Sequence, residues 1–392
     1  MKKQLTFRHT MLSCYGGIIS QAIVSCFAPL LFVTFQQEFS LSLEKLGLLV
    51  SFNFVTQLTV DALAAKYADK VGYRRMIVAA QIFIAAGLVL LSVLPYVMAP
   101  YAGIVIATII YAVGGGINEV LVSPIAEACP KDGKGAALSL LHSFYCWGSM
   151  AVVLLSTVLF KVFGVASWRA VAWMWAILPL VNAVAFSRVP IAPLVAEGKS
   201  LKLRELLTLR MFWMFMLLML CAGAAELSMA QWASAFAENG LNVTKAVGDL
   251  AGPCFFAMMM GIGRVVQYKI SARMDMRRYL TVCAAGCVVS YVIAALAPSA
   301  LLSLMGFGLC GFMVSAMWPG TLDIAHEALP RGGTAMFAIL ALCGDVGCAA
   351  GPALVGFVSG AMGDNLHMGL LAAIVFPAVL TIGLLMQRRK KV

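Results

Sequence analysis

The chain has 392 residues, 62% of them hydrophobic and only 11% charged. Soluble domains carry about 45–50% apolar and roughly 25% charged residues, so a soluble globular protein, a disordered chain and a coiled coil are all excluded. The formal charge of +11 does not point to nucleic acid, because Lys and Arg gather in alternate loops, as membrane orientation requires. About twelve apolar runs follow one another, each near the ~20 residues that a bilayer-crossing helix needs. The composition predicts an all-α polytopic membrane protein whose surroundings are the lipid bilayer.

In chain order, the predicted spans are 11–35, 45–66, 76–95, 101–126, 136–160, 168–188, 211–236, 247–269, 279–297, 300–326, 334–359 and 366–387. Twelve spans place both termini on one side. Of the 28 Lys and Arg residues, Lys45, Lys161, Arg169 and Lys245 fall on the opposite side and the rest on the side of the termini. The positive-inside rule therefore predicts cytoplasmic termini. Short loops and short tails fit a multi-pass protein of a bacterial inner membrane. No signal peptide with a cleavage site precedes span 1. The Pro- and Lys/Arg-bearing segment 189–210 reads as a cytoplasmic linker between six-helix bundles at 1–188 and 211–392. The eleven cysteines include Cys146, Cys221, Cys283 and Cys343 inside apolar runs. With no CxxC pair they read as small hydrophobes rather than a disulfide framework or metal site.

The two halves repeat. Residues 127–141 read EACPKDGKGAALSLL and residues 327–340 read EALPRGGTAMFAIL. Both close an even-numbered span and open the next. A parallel repeat of six-helix halves, with substrate bound between them, is the architecture expected of major facilitator transporters. The loop after span 2 runs Ala65-Lys66-Tyr67-Ala68-Asp69-Lys70-Val71-Gly72-Tyr73-Arg74-Arg75. It resembles the G-x-x-x-D-R/K-x-G-R-R signature of that superfamily, with Ala65 in place of the first Gly. Gly72 permits a tight turn, and Asp69 with Arg74 and Arg75 can make gate contacts that exist only while the cytoplasmic side is closed. The second half has a weaker counterpart in Gly261, Gly263 and Arg264, followed by Arg273, Arg277 and Arg278.

Ionisable groups inside spans are costly and usually face a polar cavity. Asn118 and Glu119 lie on span 4, Glu226 on span 7 and Asp345 on span 11. Asp61 and Asp323 lie nearer the cytoplasmic ends of spans 2 and 10, and His142 lies in the inner half of span 5. Asn53, Gln57 and Asp61 recur every four residues, which makes a polar stripe on one helix face. Gln21 is near the middle of span 1. Trp147, Trp232 and Trp318 fall within spans 5, 7 and 10, where an indole can stack on a sugar and donate its N–H to a hydroxyl. Each has a plain structural alternative: a carboxylate as an internal hydrogen-bond partner, a Trp as packing.

Four segments sharpen the resemblance. Glu119-Val120-Leu121-Val122-Ser123-Pro124 is similar to the E-x-x-x-N-P of the fucose–proton symporter branch, with Ser123 for Asn. Ala222-Gly223-Ala224-Ala225-Glu226-Leu227-Ser228 followed by Trp232 resembles the G-x-E-x-S-x-x-x-W of that branch and of sodium-dependent glucose transporters, with one extra residue before Glu226. Leu140-Leu141-His142-Ser143-Phe144 resembles the opening of span 5 in the latter group. Phe35-Gln36-Gln37-Glu38-Phe39 also resembles that branch. The symporters carry a span 1 acid that Ser25-Cys26-Phe27-Ala28-Pro29 lacks, so another carboxylate must serve any ion coupling: Glu119 first, then Glu226 or Asp345.

The expected function is secondary transport of a small polar solute, a sugar before others, by alternating access coupled to a proton or to sodium. Gln21, Asn53, Gln57, Asn118, Glu119, His142, Trp147, Glu226, Trp232 and Trp318 are the candidate substrate contacts. An anionic substrate is disfavoured because no Lys or Arg lies at mid-span depth and Arg264 sits toward the inner end of span 8. The alternative is a proton-coupled exporter of cationic or amphipathic compounds, which an acidic, Met-rich cavity would suit. Span 5, Trp147-Gly148-Ser149-Met150-Ala151-Val152, lacks the Pro of drug antiporters. A transport-dead sensor is the third class. No nucleophile elbow, metal-ligand spacing or phosphate loop suggests an enzyme, and no cofactor is expected. The working unit is taken as a monomer.

Overall fold

The structure is a computed structural model that describes residues 5–129, 134–191, 203–271, 275–329 and 332–388. Within them, side chains are described except at 64–70, 127, 134–140, 142–143, 203, 268–271, 333–335, 338 and 387–388. The described residues form helices and connecting turns, without a strand. Twelve helices among them are long and apolar enough to cross a membrane. They are Phe7–Phe39, Leu43–Leu63, Tyr73–Leu91, Pro100–Ala126, Phe144–Phe163, Val165–Arg188, Arg210–Gly240, Lys245–Gln267, Met276–Leu296, Ala300–Ala328, Ile339–Ala361 and Leu366–Met386. They are numbered spans 1 to 12 in that order.

The spans break where the backbone chemistry requires it. Span 1 runs as an α-helix over Phe7–Cys26, tightens to a 3₁₀ turn at Pro29–Leu31 and resumes over Phe32–Phe39. Proline has no N–H to donate and its ring crowds the preceding turn, so the α ladder cannot pass through Pro29 unchanged. Ser40 ends the segment in the left-handed region, at φ 54°. In span 8 the turn Leu250–Cys254 widens to a π geometry around Pro253, the same adjustment in the other direction. Spans 9, 10 and 12 begin with side-chain caps. Asp275 accepts from the Arg277 amide at 3.0 Å, Ser299 from Leu302 at 3.3 Å and Asn365 from His367 at 3.1 Å. Such caps satisfy N–H groups that have no partner inside the helix.

The chain divides into two compact units, 1–41 with 52–196 and 42–51 with 197–392. In the first, span 1 packs on spans 4, 5 and 6, and span 3 on spans 4 and 6. In the second, span 7 packs on spans 10, 11 and 12, and span 9 on spans 10 and 12. Adding six to each number of the first set gives the second, so the internal repeat extends from sequence to packing. The second unit also takes in the first turns of span 2, where Ser51 donates its hydroxyl to the Ala349 carbonyl at 2.9 Å. Leu154, Val158 and Val162 on span 5, and Ile177, Val181 and Val184 on span 6, are exposed apolar side chains. Their spacing puts them on one flank of each helix. Hydrocarbon is the solvent that such flanks suit, while the backbone is satisfied inside each helix.

At the end of span 1, Glu38 ties three elements together. Tyr96, in the connection between spans 3 and 4, donates its hydroxyl to one carboxylate oxygen, and the Trp168 indole donates to the other at 3.1 Å. The Arg169 guanidinium lies 4.4 Å above the Tyr96 ring. Partial burial and the hydrogen bond to Glu38 push the Tyr96 phenol up to about 12, so it remains a donor at physiological pH.

Span 2 continues as a helix to Val71, and span 3 begins at Tyr73. The hinge is Gly72, at φ 93° and ψ 128°. Side chains rarely adopt this conformation. Gly72→Ala places its methyl in open space, so the cost is backbone strain alone, about 1–3 kcal/mol. Thermal unfolding of the purified protein in detergent should show a lower Tm for Gly72→Ala. An unchanged Tm would show that the turn relaxes freely.

Candidate functional site

The first unit holds a polar network built from spans 1, 2 and 4. The four-residue spacing of Asn53, Gln57 and Asp61 puts all three on one face of span 2, and the structure turns that face toward spans 1 and 4. Gln57 donates its amide to Asn53 Oδ1 at 3.1 Å. Gln21, from span 1, donates to Gln57 Oε1 at 2.8 Å and to Glu119 Oε2 at 3.2 Å. A carboxamide has two N–H donors, so Gln21 has spent both. Its Oε1 is buried with no hydrogen-bond partner, and so is Asp61 Oδ1. The donations to two acceptors settle which end of the Gln21 amide faces the network.

Span 4 makes room for these groups with two glycines. A Cβ on Gly115 would stand 3.3 Å from Gln21 Oε1, and one on Gly116 would stand 2.8 Å from Asp61 Oδ1. Glu119 follows one turn later on the same flank, as i+3 and i+4 neighbours do. Its carboxylate is near enough for its charge to act on Asp61. Glu119 keeps an exposed surface, whereas Gln21, Asn53 and Gln57 are buried.

Asn118 adjoins Glu119 in sequence and faces elsewhere, since successive helix residues are about 100° apart. It donates to the Gly17 carbonyl at 3.0 Å and accepts from Gln81 at 2.7 Å, while Ser20 donates to Gln81 at 2.9 Å. All of these side chains are fully buried. Asn118 therefore joins spans 1, 3 and 4. Gln81 and Ser20 were not among the expected site residues. An isolated Gln and Ser in apolar helices carry no periodic signal, though their cost in a bilayer is a reason to seek partners.

The other expected residues are placed separately. Trp147 is 40% exposed on span 5. The side chains of His142 and Asp69 lie outside the described residues. Arg74 donates to the Phe186 carbonyl near the end of span 6 at 2.9 Å, where the helix dipole favours a cation. Arg75 is exposed. In the second unit Glu226 and Asp345 are buried on spans 7 and 11. The Arg264 guanidinium acts on Glu226, so this unit does bring a cation to an acidic group. Trp232 is fully buried and donates its N–H to the Pro352 carbonyl at 3.0 Å. Trp318 is half-buried, with its ring against Gly344 beside Asp345.

A second polar cluster joins spans 7 and 8. Lys245 pairs with Glu238 at 3.1 Å and with Asp249 at 3.3 Å, and Ser234 donates to Asp249. Lys245, read from the sequence as a loop charge, is thus enclosed by two acids. The i, i+4 spacing to Asp249 was the signal for that pair. Among the described residues, no three His, Cys, Asp or Glu side chains gather as metal ligands.

The comparisons agree with this architecture. The Major Facilitator Superfamily profile matches residues 14–352. Membrane protein MosC of Rhizobium meliloti is 23% identical over 329 residues, 84% of this chain and 78% of that protein. A bacterial homologue of the human lysosomal transporter Spinster, in an inward-facing and occupied conformation, superposes with a TM-score of 0.80 at 14% identity, covering 98% of this chain and 97% of that one. The E. coli fucose:proton symporter FucP superposes with a TM-score of 0.64 at 18% identity, covering 96% and 98%. With twelve spans, a six-plus-six repeat of packing and a profile match over most of its length, the chain belongs to the Major Facilitator Superfamily, whose members are transporters rather than enzymes.

Proposed function

We propose that this protein carries a small polar solute, a sugar before other candidates, by alternating access coupled to a proton or sodium gradient. The observation that carries this reading is the acceptor surplus around Glu119. Gln21 has spent both donors, its oxygen is unpartnered, and Glu119 is exposed. A polyhydroxylated solute supplies donors to such a surface, and each buried donor–acceptor match adds selectivity. An anion would bring further acceptors to a network that has no Lys or Arg among its described members. The fucose:proton symporter among the structural neighbours is consistent with this choice. Glu119 is assigned to coupling, with Glu226 and Asp345 as the second-unit candidates. Asp69, Gly72, Arg74 and Arg75 are assigned to the gate. The protein is placed in a bacterial inner membrane as a monomer, with 189–210 as a cytoplasmic linker.

Transport assays test this reading. In proteoliposomes given a panel of neutral sugars, amines and carboxylates, a neutral sugar should accumulate under an imposed proton or sodium gradient. Glu119→Gln should abolish that accumulation and leave counterflow within the same order of magnitude, because exchange need not release the coupling ion. Gradient-driven accumulation of a sugar by Glu119→Gln would move the coupling site to Glu226 or Asp345. Expulsion of amphipathic cations, with no sugar uptake, would favour the exporter.

The gate assignment expects Asp69→Asn to slow turnover more than it weakens substrate binding. Equal transport at equal expression would remove that role. For orientation, Lys3→Cys and Lys390→Cys in a cysteine-depleted protein should react only with membrane-permeant thiol reagents in intact cells. Labelling of both by an impermeant reagent would place the termini outside.

A further inference from the structure

We propose that Asp61 and Glu119 together form one proton-binding site, in which Glu119 meets the aqueous side and Asp61 is the inner seat of a single shared proton. For its role in transport this rests on the coupled-transporter reading above; the binding itself does not. From the sequence, Asp61 was expected as an in-span acid near the cytoplasmic end of span 2 and as a member of its polar stripe. The structure gives it a specific position: Oδ1 is buried, has no hydrogen-bond partner, and faces the step in span 4 that Gly116 leaves open. A side chain at Gly116 would occupy that space. Glu119 lies one turn on, about 4.5 Å further along the helix axis.

The hydrogen-bond arithmetic calls for one added hydrogen. Three acceptors lie along this flank of span 4: Gln21 Oε1 by Gly115, Asp61 Oδ1 by Gly116 and the Glu119 carboxylate. Gln21 gives its two N–H groups to Gln57 and Glu119, and Gln57 gives one of its two to Asn53, while neither Gln21 Oε1 nor Asp61 Oδ1 receives a hydrogen bond. The charge of Glu119 acts on Asp61, and the described titratable groups on the neighbouring spans include Tyr15 on span 1, Arg74 and Arg75 at the start of span 3, and Tyr111 on span 4. Two carboxylates this close repel, and removing one charge relieves both the repulsion and the missing donor.

The step is a plain proton transfer. Hydronium on the aqueous side gives its proton to the exposed Glu119 carboxylate and leaves as water. The proton then passes to Asp61, whose new O–H donates back toward Glu119 or to the free oxygen of Gln21. The pair goes from two negative charges to one, and only O–H bonds form and break. Release reverses the sequence. The amide chain from Asn53 through Gln57 and Gln21 to Glu119 holds the two acids in register while their charge changes.

The test needs no transported solute, so its failure and the failure of the sugar reading are distinguishable. Wild-type protein, Asp61→Asn and Glu119→Gln are purified, reconstituted in liposomes and titrated by infrared difference spectroscopy. The signal read is the C=O stretch of a protonated carboxylic acid, in water and in deuterium oxide. A deuterium-sensitive band is expected in the wild type that shifts on ¹³C-aspartate labelling and is lost in Asp61→Asn. The titration midpoint of the remaining acid should move in each variant, because the two acids act on each other. Should Asp61→Asn not fold, Asp61→Glu keeps the acid and should move the band out of the aspartate-labelled position. The proposal is overturned by a wild-type band insensitive to aspartate labelling, by midpoints that do not respond to loss of the partner, or by a band abolished by sodium chloride but not by N-methyl-D-glucamine chloride. The last result would assign the seat to sodium.

Discussion

An amide nitrogen can serve two acceptors, and Gln21 serves Gln57 at 2.8 Å and Glu119 at 3.2 Å. Much of the first unit's polar chemistry depends on that division. In a bilayer there is no water to complete an unfinished hydrogen-bond set, so each buried polar atom needs a protein partner, a proton or a ligand. The network around Gln21 closes on its donor side and stays open on its acceptor side. That imbalance gives the site its chemical character: it favours species that bring hydrogens. The same rule accounts for Asn118, which both donates and accepts and so ties spans 1, 3 and 4 together.

The glycines of span 4 and the prolines of spans 1 and 8 serve the same end from the backbone. Gly115 and Gly116 let an amide and a carboxylate lie directly against a helix. Without those two positions, Gln21 and Asp61 would be displaced and the donor chain would lose its register. Pro29 and Pro253 open the α ladder at fixed points, which lets spans change direction while the rest of each helix keeps its internal hydrogen bonds. Gly72 does the sharpest work of this kind, turning span 2 into span 3 within one residue at φ 93°.

The two units share a packing scheme and differ in their charges. In the first, Glu119 accepts from the Gln21 amide. In the second, Glu226 feels Arg264, and Lys245 is enclosed by Glu238 and Asp249. A charge already balanced by a protein cation has less need of an external one.

Much of this was legible in the sequence, for a definite reason. Apolar length, charge asymmetry between loops and the 127–141 and 327–340 echo are one-dimensional properties, and the bilayer reads them in one dimension. They carried the helical class, the twelve spans and the superfamily. The four-residue stripe of Asn53, Gln57 and Asp61 was visible for the same reason, since helical periodicity alone puts them on one face. What they faced was not visible. Asn118 and Glu119 are adjacent letters with opposite surroundings, Trp232 looks like a stacking platform but is spent on the Pro352 carbonyl, and Gln81 has no pattern around it at all. Pairing across helices depends on their rotation and on which positions lack a Cβ. Those are set by the packing of several spans at once, so only the tertiary structure decided that Gln21 would exhaust its donors and leave the Asp61 oxygen beside Gly116 without a partner.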